Sequence, residues 1–386
     1  MVSIDSIMNA RPAVLVLKCG KIFRGTGFGT TKRVVGECVF YTNAGAGYDA
    51  LLTDSNTAGT IPIFAYPLIG NYGVASWEKD QYGLLKCFES DSIKPQGIVA
   101  HEFCRDPSHF ECTQTFEDFM KEGNLPGLES VDTRDLTHIL RDQGAQMGIL
   151  EIFDSAEKIP SDDELRKAVA TVEDINVRNF SAENSRKSTE IFCPEKPVAT
   201  VVAIDCGIKN SIIRNLVLRN LKVVVVPYNT SAAQILEYHP KGILISNGPG
   251  NPILCTETIT TVKALLAKKI PIMGIDLGNL ILGLAIGAQT YKMKSGHHGS
   301  SKPVVDQLGG RVYMTGQYHR YAIDTTSLKG TGFQPLFTHL DDQSCEGIYH
   351  PTEPFFGVQF PPGPYPAPED TNFLYDRFLK NMGLGA

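Results

Sequence analysis

The segment Gly274-Ile275-Asp276-Leu277-Gly278 joins an apolar run to a helical pattern. Glycines at this spacing let a chain turn sharply from strand to helix and lift the central side chain over the helix start, an arrangement that exposes a nucleophile. Such elbows carry Ser or Cys at the centre; here the residue is Asp276. Carboxylates act as nucleophiles in glycoside and phosphoryl transfer, but hydrolysing an amide also needs a proton donor for the departing ammonia. A plainer reading is that Asp276 accepts backbone N–H bonds at the helix start, worth roughly 0.5–2 kcal/mol. Among other groups with possible chemistry, His297, His298, His319 and His350 could form a metal or acid–base site, but His297-His298 lies in a Gly/Ser-rich stretch read as a loop with solvated imidazoles. Asp341, Asp342 and Glu346 read as surface acids, so no metal site and no cofactor are expected. The proline cluster Pro361–Pro366 reads as a rigid loop filling the mouth of the elbow, with a polyproline recognition segment as the alternative.

These residues need elements to position them. The first part of the chain reads as β-rich: a strand over Ala13–Lys18, a turn at Gly20-Lys21 into Ile22–Arg24, and a strand over Val34–Tyr41. Helices are expected over Phe116–Glu122 and Asp132–Gln143, the second with Asp132 or Thr133 as N-cap and Gly144 as its stop. Residues 156–197 are polar and charge-rich and read as a linker between domains 1–155 and 198–386. Beyond Pro197, apolar runs at Val198–Ile204, Lys222–Pro227, Gly242–Ile245 and Ile270–Ile275 alternate with helical patterns at Lys209–Arg219, Thr256–Lys268 and from Leu277 to Ala288. Alternation of this kind predicts an α/β fold with a mainly parallel sheet, whose chemistry sits at the carboxyl ends of the strands.

The bulk properties exclude more than they identify. With 386 residues, 42% hydrophobic and 20% charged, the chain reads as an ordinary folded protein of two domains. A net charge of −6 with scattered Lys and Arg gives no footprint for nucleic acid or an anionic membrane. Met1–Pro12 resembles neither a signal nor a transit peptide, and no apolar run is long enough to span a bilayer. Nine cysteines at irregular spacing, with no CxxC pair, read as reduced thiols in a cytoplasmic protein.

Several long stretches, in order, resemble class I glutamine amidotransferases, and in particular the glutaminase part of carbamoyl-phosphate synthetase. They are Tyr66–Val74, Val131–Arg134, Ile204–Asn210, Ser246–Pro252, the elbow itself, Leu282–Ala288 and Thr290–Met293. Pro107-Ser108-His109 and Leu125–Leu128 look like the animal pyrimidine-pathway enzyme, whereas Gly278-Asn279-Leu280 looks like the ammonia-using urea-cycle form. The resemblance implies a β-rich N-terminal small-subunit domain followed by an amidotransferase domain. It also implies a Cys–His–Glu triad, whose positions here hold Asp276, Pro361 and Gly363. Of the positions that contact glutamine in the family, Asn56, Leu280, Tyr318 and Arg320 are altered, while the oxyanion turn Gly248-Pro249-Gly250 is retained.

These substitutions lead to the expectation of a non-catalytic pseudo-glutaminase, not an enzyme, acting as a structural or interaction subunit with protein partners. One alternative is an inactive regulatory partner of an ammonia-using synthetase large chain. The other is a repurposed small-molecule binder in which Arg320, Asp276 and Tyr318 converge on one cleft. Neither nucleic acid nor membrane is expected as a partner.

Overall fold

A computed structural model describes residues 11–42, 47–66, 68–363 and 369–385. Most of Met1–Pro12, Pro67 of the Tyr66–Val74 stretch and residues 364–366 of the proline cluster lie outside the described residues. The chain divides into two units, residues 1–78 with 91–175, and residues 79–90 with 176–386.

The first unit is built on a closed seven-stranded barrel. Its strand Arg11–Leu17 pairs antiparallel with Ile22–Gly29 on one side and Gln146–Ile152 on the other. Because successive side chains point to opposite faces, this strand serves two cores. Ala13, Leu15 and Leu17 pack with Cys38, Ile63 and Leu150, while Val14 and Val16 face Leu165 and Val169. The latter two belong to a helix, Asp162–Ala170, opened by a capping box between Ser161 and Glu164. The stretch 156–197 thus carries a helix covering the barrel and is shared between the two units at residue 175. Phe116–Glu122 is helical as expected, and Thr133–Gln143 starts where Asp132 accepts from the Asp135 N–H at 2.9 Å.

The second unit is an α/β domain around a ten-stranded sheet. Five strands, Leu221–Pro227, Ala199–Asp205, Gly242–Ile245, Ile272–Ile275 and Phe355–Val358, run parallel in that spatial order. Their Val and Ile side chains are buried on both faces, which explains why they read as unbroken apolar runs. The sheet then turns antiparallel through Cys345–Tyr349, Val312–Ile323, Thr290–Asp306 and Gln334–His339. Residues 79–90 are part of this unit. Leu84 enters its core, Asp80 pairs with Arg214 at 2.9 Å, and the Asn210 side chain donates to the Phe88 carbonyl at 3.0 Å.

Candidate functional site

The strand Ile272–Ile275 lies between two parallel neighbours and delivers the chain to Asp276, which begins the helix Leu277–Ala285. Asp276 has φ 54° and ψ −109°, a conformation that costs a non-glycine residue about 1–3 kcal/mol. The flanking glycines are required by close approach. A Cβ on Gly274 would stand 2.5 Å from the Gly278 carbonyl oxygen, and one on Gly278 would stand 2.1 Å from that of Ile245. The elbow read from the sequence is therefore present, with its central side chain buried at 3% exposure.

The expected role of that carboxylate as a helix cap is corrected. Asp276 makes no side-chain capping bond to the helix. It accepts instead from Gln359 Nε2 at 3.2 Å, and Gln359 Oε1 accepts in turn from Asn279 Nδ2 at 2.9 Å. Both amides are fully buried. Gly357 makes room for this relay, since a Cβ there would stand 2.5 Å from Asn279 Oδ1. Asn279 is legible only within the Gly278-Asn279-Leu280 stretch; its pairing with Gln359 depends on the neighbouring strands Ile272–Ile275 and Phe355–Val358, which sequence does not place together.

The other expected positions lie on several different elements. Pro361 follows the same strand as Gln359 and is half-buried; Gly363 is buried with φ +117°, a left-handed conformation suited to glycine. Leu280 faces inward and belongs to the apolar core of the second unit. Asn56 is buried in the first unit, where its backbone N–H donates to Asp54 Oδ1 at 3.0 Å. The retained turn Gly248-Pro249-Gly250 is buried, and a Cβ on Gly248 would stand 2.2 Å from the Cys206 carbonyl. Neither nearby buried thiol is a poised nucleophile: burial pushes Cys206 well up and Cys255 to about 11.

Tyr318 and Arg320 lie on one face of the strand Val312–Ile323, with Gln317 and His319 on the other. The Tyr318 ring receives the ammonium of Lys209 at 5.3 Å from its centroid, a cation–π contact absent from the sequence reading. Arg320 is buried, and its charge adds to burial in holding His298 well below the ordinary imidazole range.

The solvated histidine loop is also corrected. His297 and His298 lie on the long strand Thr290–Asp306, opposite His319 and Tyr318, and all three imidazoles are buried. Glu346, expected on the surface, is fully buried. It stands 3.2 Å from His297 Nδ1 and 3.4 Å from His319 Nε2, and Asp342 lies 3.0 Å from His297 Nε2. No apolar alternation marks this hairpin, and bulges between Lys292 and His297 and between Gly299 and Lys302 break its register, so the inward-facing histidines carried no periodic signal.

Comparison with known proteins decides the family. Residues 15–150 match the carbamoyl-phosphate synthase small chain CPSase domain, and residues 202–381 match glutamine amidotransferase class-I. The carbamoyl phosphate synthase small chain of Methanocaldococcus jannaschii is 43% identical over 95% of this chain and 98% of its own length. The chain belongs to the carbamoyl phosphate synthase small chain family. The small chain of Methanopyrus kandleri is 39% identical over 95% of this chain and 98% of its own. The mitochondrial carbamoyl-phosphate synthase [ammonia] of Mus musculus is 40% identical, but this chain spans only 24% of it. It spans 17% of the multifunctional protein pyr1-3 of Dictyostelium discoideum.

These relatives overturn the expectation of a non-catalytic structural subunit that is no enzyme, together with its alternatives of an inactive regulatory partner and a repurposed binder. Chains that match this one nearly end to end, at 37–43% identity, carry the name of the synthase small chain. The substitutions at Asp276, Pro361 and Gly363 are features of the site of a family member and do not mark it as a separate kind of protein. Among the described residues, no helix is long and apolar enough to cross a membrane.

Proposed function

We propose that this chain serves as the small chain of a carbamoyl phosphate synthase, paired with a synthetase large chain, with the Asp276 elbow as its nitrogen-handling site. The supporting observation is the nearly full-length match to free-standing small chains, covering both units in the family's order. The site residues bear on how the elbow works. A thiol–imidazole pair has no counterpart at Asp276 and Pro361, so amide chemistry at this elbow does not run through a Cys–His couple. The groups that meet an incoming amide are the Asp276 carboxylate, oriented by Gln359 and Asn279, and the turn Gly248-Pro249-Gly250.

The test is co-expression with a carbamoyl phosphate synthase large chain, followed by sizing of the complex and measurement of carbamoyl phosphate formed from glutamine and, separately, from ammonium. A stable one-to-one complex that makes carbamoyl phosphate is expected. Glutamine-dependent formation that falls in Asp276→Ala assigns the amide step to the elbow, whereas formation from ammonium alone places the nitrogen source outside this chain. Failure to bind the large chain or to alter its kinetics would overturn the proposal.

A further inference from the structure

Three strands of the second unit bring His297, His319 and Glu346 together. Their outer hydrogen bonds fix which atoms face one another. His319 Nδ1 lies 2.9 Å from the Tyr321 carbonyl oxygen, which can only accept, so the proton is on Nδ1 and Nε2 presents a lone pair. His297 Nε2 lies 3.0 Å from Asp342 Oδ2. Asp342 Oδ1 accepts from the Ser344 N–H at 3.1 Å, so this carboxylate presents acceptor oxygens to its neighbours. His297 therefore carries a proton on Nε2 and turns Nδ1 inward. Glu346 Oε1 accepts from Ser344 Oγ at 2.9 Å. Glu346 Oε2 and His297 Nδ1 are buried without a hydrogen bond of acceptable geometry. Gln317 Oε1, its amide oriented by donation to Thr315 Oγ1 at 3.1 Å, also lies 3.2 Å from His319 Nε2.

With both imidazoles neutral, electron-pair donors converge on one buried point, a costly arrangement unless protons or a metal cation sit between them. The distances indicate what fits. Zinc bonds to imidazole nitrogen and carboxylate oxygen at about 2.0–2.2 Å, so neighbouring tetrahedral ligand atoms stand about 3.3 Å apart. His297 Nδ1 stands 3.2 Å from Glu346 Oε1 and His319 Nε2 stands 3.4 Å from Glu346 Oε2, so each nitrogen has one oxygen of the carboxylate at that spacing. Each histidine also donates its other nitrogen to an oxygen acceptor, the outer arrangement that orients metal-binding imidazoles.

We propose that His297 Nδ1, His319 Nε2 and the Glu346 carboxylate bind a divalent cation of the zinc type, with Gln317 Oε1 or water as fourth ligand. Two nitrogens and a carboxylate suit zinc better than magnesium or calcium. The ion cross-links the strands Thr290–Asp306, Val312–Ile323 and Cys345–Tyr349 from inside. A second grouping, His297 with His339 and Asp342, is weaker, because His339 Nδ1 already accepts from the Asp341 N–H at 3.2 Å.

The experiment strips the full chain with chelator, then titrates it with zinc and with cobalt(II) at neutral pH, reading metal content, the cobalt absorption bands and thermal unfolding. One ion per chain, tetrahedral-type cobalt bands and a raised unfolding temperature are expected, with uptake lost in Glu346→Gln. Asp342→Asn, at a half-exposed position, weakens binding about 10–100-fold while keeping the ligands. A folded chain that takes up neither ion, or a folded Glu346→Gln that takes them up equally, overturns the site and leaves protons as the charges that hold the cluster.

Discussion

Gln359 donates its side-chain amide to Asp276 at 3.2 Å while its backbone N–H donates to the Glu346 carbonyl at 2.9 Å. One residue therefore fixes the elbow carboxylate and the strand that carries the buried histidine partner. Replacing it with Leu leaves the Asn279 amide without its acceptor and removes a donor from Asp276. Gln359→Leu should lower stability by about 1–3 kcal/mol, measured as a drop in the urea midpoint, whereas Gln359→Glu should lose the bond to Asp276 and place two buried carboxyls together.

The elbow glycine Gly278 should be unequal to Gly287, just beyond the end of the same helix. Gly278→Ala drives a Cβ to 2.1 Å from the Ile245 carbonyl, so a loss of at least about 1–3 kcal/mol is expected, with insoluble protein as the extreme. Gly287 has φ +92° but open space around a Cβ. Gly287→Ala should cost only the left-handed conformation, about 1–2 kcal/mol, and remain soluble. Similar losses for the two variants in chemical unfolding would show that the crowding at Gly278 is relieved by backbone movement.

Asp276→Cys restores an elbow thiol without an imidazole to activate it. Its thiolate fraction at neutral pH should be that of an ordinary or buried thiol, a few per cent or less. The double variant Asp276→Cys with Pro361→His should label with a small electrophile about 10-fold faster or more. Equal labelling rates in the single and double variants would show that position 361 does not reach the elbow.

The metal-free chain should have a stability profile set by the histidine cluster. Burial opposes a charge on His297, but the Asp342 and Glu346 carboxylates beside it outweigh burial and raise the imidazole to about 9. A raised pKa contributes stability that is complete below the unfolded value near 6.5 and lost as pH rises through 9. Glu346 behaves oppositely. Burial would raise it, yet His319 and His297 lower it to about 2, so its contribution is complete above about 4.5 and lost as pH falls toward 2. The urea midpoint of chelated protein should therefore peak near pH 5–6 and decline on both sides. His297→Gln should flatten the alkaline limb; an unchanged limb in that variant would assign the decline to other groups.

The parallel strands were legible because burial on both faces leaves an uninterrupted apolar run, as in Val201–Ile204, and the elbow because its two glycines are forced by contacts with Gly278 and Ile245 carbonyls. The barrel was legible only in pieces. Val14 and Val16 are covered by Leu165 and Val169, residues in a polar stretch whose composition resembles a linker even though its helix has a buried stripe. The histidine cluster escaped because a Gly/Ser-rich sequence resembles a loop, while the ladder pairing His297 with His319 comes from register across a bulged hairpin. The role expected of the chain failed for a different reason. Counting altered site residues reports on chemistry at one cleft, whereas identity across both units reports on the whole molecule.

The excursion of residues 79–90 into the second unit bears on how the chain is made. Leu84 and the Asp80–Arg214 pair complete a core whose remaining residues begin at 176. During synthesis this short segment leaves the ribosome long before its partners, and at about 5–20 residues per second it waits several seconds or more for them. The first unit is interrupted by the same excursion, so neither unit is a continuous stretch of chain. A fragment beginning at residue 176 should emerge with the apolar core that Leu84 joins left partly uncovered, and a separate peptide of residues 79–90 should rescue its solubility in trans.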